Sequence, residues 1–438
     1  MTRIELLSAS VAERPVVMRL PFQFGSTEVR ETAEAHCRVE IMVDGRRAAG
    51  RAAQMMVPRW FNKAPTLSNA DTIDELRRVV ARAVQVAPGQ AGTALEVTRA
   101  LRARLSQDLP EVPRLARGFG ASLVEMAMID ALCRGLELPF WQAAQADVFG
   151  LAAGCPADLA PEDVTRSLAR IGPPERLVLR HTVGFDAPLW RADVGPEAPD
   201  DGLPVSLEEV IDRTGIAAFK IKLKGDPEAD HRRLRGIAAL IDRGGDYAVT
   251  LDANEQYAPE DFDRLLRGLA GDKALARLYP AIRFVEQPFA REIALDTPVS
   301  APLPLIIDES DDSEEAFARA LALGWSGTSI KSCKGVLRAL LNKARAEVAG
   351  AHLSGEDLTC QPGICWLQDA AMMAACGVRD VERNGHHFAG GLQGAPVAER
   401  AELLAAHGDV LAEIDGRVVL RIAGGAVEIG SLARPGLG

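Results

Sequence analysis

Five charged residues stand at the tips of short apolar runs, in the order Lys, Asp, Glu, Asp, Lys. They are Lys222 in AFKIKLK, Asp252 in YAVTLDAN, Glu286 in IRFVEQP, Asp308 in PLIIDES and Lys331 in TSIKSCK. Any one acidic strand end is ordinarily a solvated polar residue where the chain emerges. Three at one mouth repel one another unless a cation neutralises them. Carboxylates without an accompanying histidine pair suit Mg²⁺, which takes oxygen ligands and leaves positions for water or substrate; zinc would call for histidine or cysteine. Mn²⁺ would be accepted by the same donors. Lys220, Lys222 and Lys224 alternate and so share one face of their strand. An amine near a divalent cation should lose its proton more easily, which would let a lysine act as a base. The ordinary alternative is a lysine stem packed on the core with its amine paired to a carboxylate.

These residues act together only if the strand ends converge. From about Arg176 onward, β-rich runs alternate with amphipathic helical stretches: RLVLRHTV, IAAFKIKL, YAVTLDAN, IRFVEQP, PLIIDES, GTSIKS, AHLSG and VRDVERN, separated by segments such as PEDFDRLLRGLAG and VLRALLNKARAEVAG. Alternation of this kind predicts parallel strands with helical crossovers. Eight units in succession predict a (β/α)8 TIM-type barrel, an α/β fold whose strand tips meet at one face. An open doubly wound sheet would need a glycine-rich phosphate turn after its first strand, and none is evident. The first 150 residues differ. AHCRVEIMVDGRRAAG reads as a hairpin about an Asp-Gly turn, followed by long helices, so residues 1–150 are expected to form an α+β capping domain. Residues 151–400 would be the barrel, and 401–438 a C-terminal segment packing back on the cap, with DGRVVLRIAGGAVEIGSL forming two short strands about a glycine turn.

The 438 residues carry a net charge of −11 at pH 7, which disfavours a nucleic-acid or membrane-surface partner. The N-terminus lacks an uninterrupted apolar core, so a cytoplasmic protein is expected. The seven cysteines show no CxxC spacing; Cys360 and Cys365, the nearest pair, read as small buried or loop thiols rather than a disulfide or metal site.

The ordered set KIK, LDAN, VEQP, DES and IKSCK resembles the enolase superfamily, within it the mandelate racemase/muconate-lactonising type, and VEMAMIDALCRGLELPFWQ resembles that family's last helix before the barrel. The resemblance implies one Mg²⁺ held by Asp252, Glu286 and Asp308, with a small carboxylate as substrate. It implies Lys222 as the base on one substrate face and Lys331 as the acid or base on the other. Lys220, Asn254, Glu309 and Lys334 would support them. The implied chemistry is abstraction of the proton α to a carboxylate to give a metal-stabilised enolate. Two facing lysines favour a racemase, epimerase or cycloisomerase; β-elimination, as in an acid-sugar dehydratase, and a non-catalytic ligand-binding barrel are the alternatives. A homo-oligomer is compatible with the family.

Other parts depart from the pattern. The mandelate-racemase histidine–aspartate dyad is absent, because the sixth strand ends at Lys331, so His352 is expected to be structural. Glu356 and Asp357 after the seventh strand, and Glu382 and His386 near the eighth, are candidates for substrate contact. The resemblance also implies a lid from the cap, with Phe22 and Phe24 in LPFQFGS, and Arg59, Trp60 and Lys63 in MMVPRWFNK, as candidate segments. Arg59 or Lys63 would then meet an anionic substrate end.

Overall fold

The computed structural model of the protein describes residues 2–25 and 27–438; Ser26, the last residue of the first candidate lid segment, lies outside the described residues. The chain opens with an antiparallel sheet of β1 (Ile4–Phe24), β2 (Thr27–Val43) and β3 (Arg46–Met55). Three helices follow: α1 (Asn69–Val86), then, after the two-residue strand β4 (Ala91–Gly92) on the edge of β1, α2 (Ala94–Asp108) and α3 (Arg114–Gly135). The β2–β3 hairpin turns at Asp44 and Gly45, both with positive φ (48° and 73°), as an Asp-Gly two-residue turn requires.

α3 is buried along almost its whole length and lies against β3. The approach is close because Gly50 has no side chain: a Cβ there would fall 2.2 Å from the Ala131 nitrogen and 2.3 Å from the Ala127 carbonyl oxygen. α3 also reaches the barrel. Its buried Glu125 accepts hydrogen bonds from Val336 N (2.6 Å) and Leu337 N (3.1 Å), capping the helix Val336–Ala349 that follows the sixth barrel strand.

The barrel strands are β5 (Arg176–Val183), β6 (Ala218–Lys222), β7 (Ala248–Asp252), β8 (Ile282–Glu286), β9 (Leu305–Ile307), β10 (Gly327–Ile330), β11 (His352–Gly355) and β12 (Val381–Glu382). Each pairs in parallel with the next, and β12 pairs with β5 to close the ring. All eight expected runs therefore contribute strands, though VRDVERN supplies only two residues. A long connection follows β5, with one short 3₁₀ turn at Arg191–Asp193.

The tail differs from the single hairpin expected. β13 (Leu411–Ile414) pairs with β14 (Arg417–Leu420), while β15 (Ala426–Glu428) pairs antiparallel with β5 at the start of the barrel. β13 and β14 form a local hairpin about the Asp415-Gly416 turn, whereas the partner of β15 lies far away in sequence. The final residues return to α3, where Leu437 N donates to Asp130 Oδ1 at 2.9 Å. No helix among the described residues is long and apolar enough to cross a membrane.

Candidate active site

Counting β5 as the first barrel strand, Lys222 ends the second, Asp252 the third and Glu286 the fourth; Asp308 follows the fifth, Lys331 the sixth and Glu356 the seventh, and Glu382 ends the eighth. In an eight-stranded ring the second and sixth strands are diametrically opposed, so Lys222 and Lys331 approach from opposite walls. The three predicted ligand positions occupy the arc between them. Each residue sits at a C-terminal strand tip because side chains there clear the packed interior layers and face the barrel mouth.

Five carboxylates and four lysines fill this mouth, all buried. Lys222 Nζ lies 2.6 Å from Asp252 Oδ2 and donates to Asn254 Oδ1 at 2.8 Å. Lys331 Nζ lies 2.6 Å from Asp308 Oδ1 and 2.8 Å from Glu356 Oε2, and stands 5.0 Å from the centre of the Trp60 ring. Lys220 is more enclosed. Its amine is within 2.9 Å of Asp252, 2.8 Å of Glu286, 2.7 Å of Glu356 and 2.8 Å of Glu382. Lys334 donates to the Asp308 carbonyl (2.7 Å) and Ser329 Oγ (2.8 Å), tying the ends of β9 and β10 together.

Charge within this cluster is set by competition between burial and neighbours. Burial alone would push the Asp252 carboxyl up, but Lys220 and Lys222 outweigh it and hold it low. Asp308 is likewise held low against burial by Lys331 and Lys334. Glu286 goes the other way: burial, then Asp252 and Glu356, push it well above the usual carboxylate range. Lys331 is held well above its usual value, against the cost of burial, by Asp308 and Glu356.

The donor set fits a hard cation. Oxygens of Glu286, Asp308 and Glu356 all lie within 4.8 Å of one another; Glu286 Oε1 is buried without a hydrogen-bond partner, and Oε2 has only the ion-pair contact with Lys220. Asp252 presses on Glu286 from the adjoining strand. Oxygen-only donors crowded this closely match Mg²⁺ better than a softer metal.

The backbone beyond these strands is strained. Asn254, Glu255 and Gln287 adopt positive φ of 44°, 72° and 39°. Non-glycine residues hold such angles only where the surroundings fix them. Asn254 N donates to Asp252 Oδ1 (3.0 Å), and Gln287 Oε1 accepts from Asp308 N (2.8 Å), so the turns lock the carboxylates' positions. Glu309 accepts from Asn254 Nδ2 (3.3 Å) and from Lys63 of the cap (3.0 Å).

A cavity of about 30 Å³ remains above the cluster, lined by Phe22, Phe24, Val57 and Trp60 of the cap and by Lys222 and Lys331 below. Room for little more than one water is left. Asp357 and Glu382 also line it. Burial raises the Asp357 carboxyl to about 7. Arg59 and Lys63 turn away from the position expected for a substrate anion. Arg59 donates to the Leu67 carbonyl, while Lys63 pairs with Glu255 and Glu309. His386 is not among the lining residues; it stands near His181 and Arg383. His352 is exposed at the opposite end of its strand, 6.0 Å from the Phe284 ring.

The sequence did not reveal the polar interior beneath the cluster. Arg180 Nη2 donates to Ser354 Oγ (2.6 Å), Ser354 Oγ donates to Glu356 Oε1 (2.6 Å), and Ser329 Oγ donates to Asp308 Oδ1 (2.5 Å). Thr182 and Asn384 bond Glu382. The available signal was polar residues at inward positions of otherwise apolar strands. The cysteine expectation is corrected: Cys360 and Cys365 are bonded to each other, both buried, beside Gln54 and Asp369. Cys360 lies on the loop before the helix Ile364–Cys376 and Cys365 in that helix's first turn, an approach that spacing did not disclose. That loop packs tightly on the next one, since a Cβ on Gly385 would fall 1.6 Å from the Cys360 carbonyl oxygen.

A closed eight-stranded barrel under an antiparallel cap, with acidic tips on strands three to five between lysines on two and six, defines an enolase-superfamily enzyme of the mandelate racemase/muconate-lactonising type. The chain belongs to the enolase C-terminal domain-like family, whose model matches residues 203–438. No curated protein matches it in sequence. Among solved structures it is similar to a dipeptide epimerase from Enterococcus faecalis complexed with Mg and the dipeptide L-Leu-L-Tyr, with 16% identity, 99% of each chain covered and a TM-score of 0.65. It is also similar to the muconate lactonizing enzyme from Pseudomonas fluorescens complexed with muconolactone, with 18% identity, coverage of 99% of this chain and 96% of that one, and a TM-score of 0.63. A substrate-liganded L-Ala-D/L-Glu epimerase from Bacillus subtilis aligns at 17% identity over 99% of this chain and 98% of its own, with a TM-score of 0.62. At these identities the likeness shows the fold.

Proposed function

We propose that the protein is a Mg²⁺-dependent isomerase that removes the proton α to a carboxylate of a small molecule, acting as a racemase, epimerase or cycloisomerase. The observation that carries this reading is the placement of Lys222 and Lys331 on diametrically opposed strands, both facing one cavity, with carboxylates between them. Asp252, Glu286 and Asp308 would hold the cation, with Glu356 a fourth carboxylate alongside. When bound, Mg²⁺ supplies positive charge where the substrate carboxylate gathers negative charge as the α-proton leaves.

The chain's own residues supply the rest. Lys222 takes the α-proton on one face, oriented by Asp252 and Asn254. Lys331, paired with Asp308 and Glu356, returns a proton to the other face. In the reverse direction the two exchange roles. Lys220 stays between four carboxylates and keeps their mutual repulsion from opening the mouth. Phe24 and Trp60 cover the site and exclude water, which strengthens each charge interaction inside. Because the cavity is small, the cap segments must move for substrate to enter.

The reading is tested by dialysing the protein against chelator and titrating Mg²⁺ calorimetrically, then assaying a panel of dipeptides, N-acyl amino acids, sugar acids and muconates. Stoichiometric Mg²⁺ binding lost in Glu286→Gln, together with Mg²⁺-dependent turnover, is expected. Equal binding in wild type and Glu286→Gln would remove the metal assignment, and no turnover across the panel would favour a non-catalytic barrel.

A further inference from the structure

A cavity larger than the one at the strand tips also borders both cap and barrel. A cleft of about 490 Å³ lies between α2 and α3 on one side and the helix Val336–Ala349 with the loop at 312–315 on the other. Its volume falls in the range of small-molecule sites. Five arginines line it: Arg99, Arg102, Arg114, Arg117 and Arg338. Two have acidic partners, Arg99 with Glu314 at 2.6 Å and Arg114 with Asp312 at 3.8 Å. The other three have none within ion-pair distance among the described residues.

Arg102 donates to Ser122 Oγ and to the Lys334 carbonyl, both at 2.8 Å. Arg117 donates to the carbonyls of Leu109 and Pro110. Arg338 donates from Nη2 to the Asp311 carbonyl at 3.0 Å, while its Nη1 has no partner although the residue is only 8% exposed. A buried guanidinium N–H without an acceptor is costly and uncommon. Glu125 and Glu315 also line the cleft; Glu125 faces Arg102 as a negative charge, while its Oε1 accepts from the two helix N–H groups it caps. Burial and the facing Arg338 push the Arg102 guanidinium down to about 10, against the opposing pull of Glu125, Glu314 and Asp311.

We propose that this cleft binds a small molecule through an oxyanion group, a phosphate or carboxylate, held between Arg102 and Arg338. Planar guanidinium groups donate two parallel hydrogen bonds to either oxyanion, and the free Arg338 Nη1 supplies a donor that the protein itself leaves unmatched. The room is made by small residues. Gly335 and Gly118 lie against Arg102, where a Cβ would come within 2.8 Å of Nη2 and 3.1 Å of Nη1 respectively. The site is separate from the barrel mouth, and Arg102 touches it only through the Lys334 carbonyl.

The test is calorimetric titration of the full chain with inorganic phosphate and, separately, with citrate. Saturable one-to-one binding of at least one is expected, weakened at least tenfold in Arg338→Gln and unchanged in Lys331→Ala, which lies in the other site. No saturable binding of either anion, binding unaltered in Arg338→Gln, or binding abolished in Lys331→Ala would overturn the proposal. Should Arg338→Gln fail to fold, hydrogen exchange on the wild type decides. Anion-dependent protection at 99–118 and 335–341 supports the site, and protection confined elsewhere refutes it.

Discussion

Two neighbouring groups of titratable side chains near the end of the barrel are handled in opposite ways. At the mouth, Asp252, Asp308 and Glu356 are held ionised by Lys220, Lys222, Lys331 and Lys334, so buried charge is retained by pairing. Beside the first and eighth strands, His181 and His387 stack edge to face at 4.9 Å, and neither has a carboxylate partner among the described residues. Burial pushes His181 down to about 4 and His387 well below its usual value, so both are neutral near pH 7. Burial is similar in both groups; the presence of opposite charge decides which stays ionised. The difference separates residues suited to moving protons within a charged site from residues that pack.

The contrast can be broken most severely at the paired lysines. Lys222→Ala and Lys331→Ala should each lower substrate interconversion by about 10²–10⁴-fold, the usual scale for loss of a general acid or base. His181→Phe should leave it within a few-fold. Comparable losses in all three, measured as kcat with folding checked by circular dichroism, would erase the distinction.

The next effect is on stability. Lys220→Met removes the cation shared by Asp252, Glu286, Glu356 and Glu382, and should cost about 3–5 kcal/mol by denaturant unfolding. Lys224→Met, on the same strand's extension but half exposed beside Asp186, should change stability by no more than about 0.5 kcal/mol. Equal effects would mean that the carboxylate cluster does not depend on its central amine.

The histidine side predicts a pH response of defined sign. His181 has a folded pKa of about 4 against 6.5 for the free group, so folding favours the neutral ring. Its contribution is fully present above pH 6.5 and is lost as pH falls through about 4. The loss should approach about 3 kcal/mol, taking 1.36 kcal/mol per pKa unit as the conversion. His181→Phe should flatten that part of the stability–pH curve between pH 6.5 and 4. An unchanged curve would show that His181 is not held neutral. The smallest effect is expected at the lid: Trp60→Phe retains an aromatic face over Lys331 and should shift KM by a few-fold, about 1 kcal/mol or less, with little change in kcat.

The strand tips were legible in sequence because a barrel strand packs its middle among apolar side chains and turns its end to the mouth, so a charge after an apolar run marks the mouth. Asp252, Glu286, Asp308, Lys222 and Lys331 all carried that signature. Lys220 and Glu356 were only half legible. Alternation placed Lys220 inward, but its four carboxylate contacts come from strands up to 162 residues away and depend on ring closure. Ser329, Ser354 and Thr182 were passed over because small polar residues are common in strands. The pairing of β15 with β5 also depended on a long-range contact that local pattern does not encode, whereas the β13–β14 hairpin about Asp415-Gly416 was open to reading and was missed. Arg59 and Lys63 were misplaced because basic residues near a lid resemble anion ligands, whereas here they bond the cap loop and Glu309.

The central claim is that two lysines serve opposite faces of one α-carbon. Its most direct test is proton NMR in deuterium oxide with Mg²⁺, following exchange at the α-position of each epimer of a turned-over substrate. Lys222→Ala should exchange one epimer and not the other, with the reverse selectivity in Lys331→Ala. Both variants exchanging both epimers at the wild-type rate, or both losing the same epimer, would contradict it.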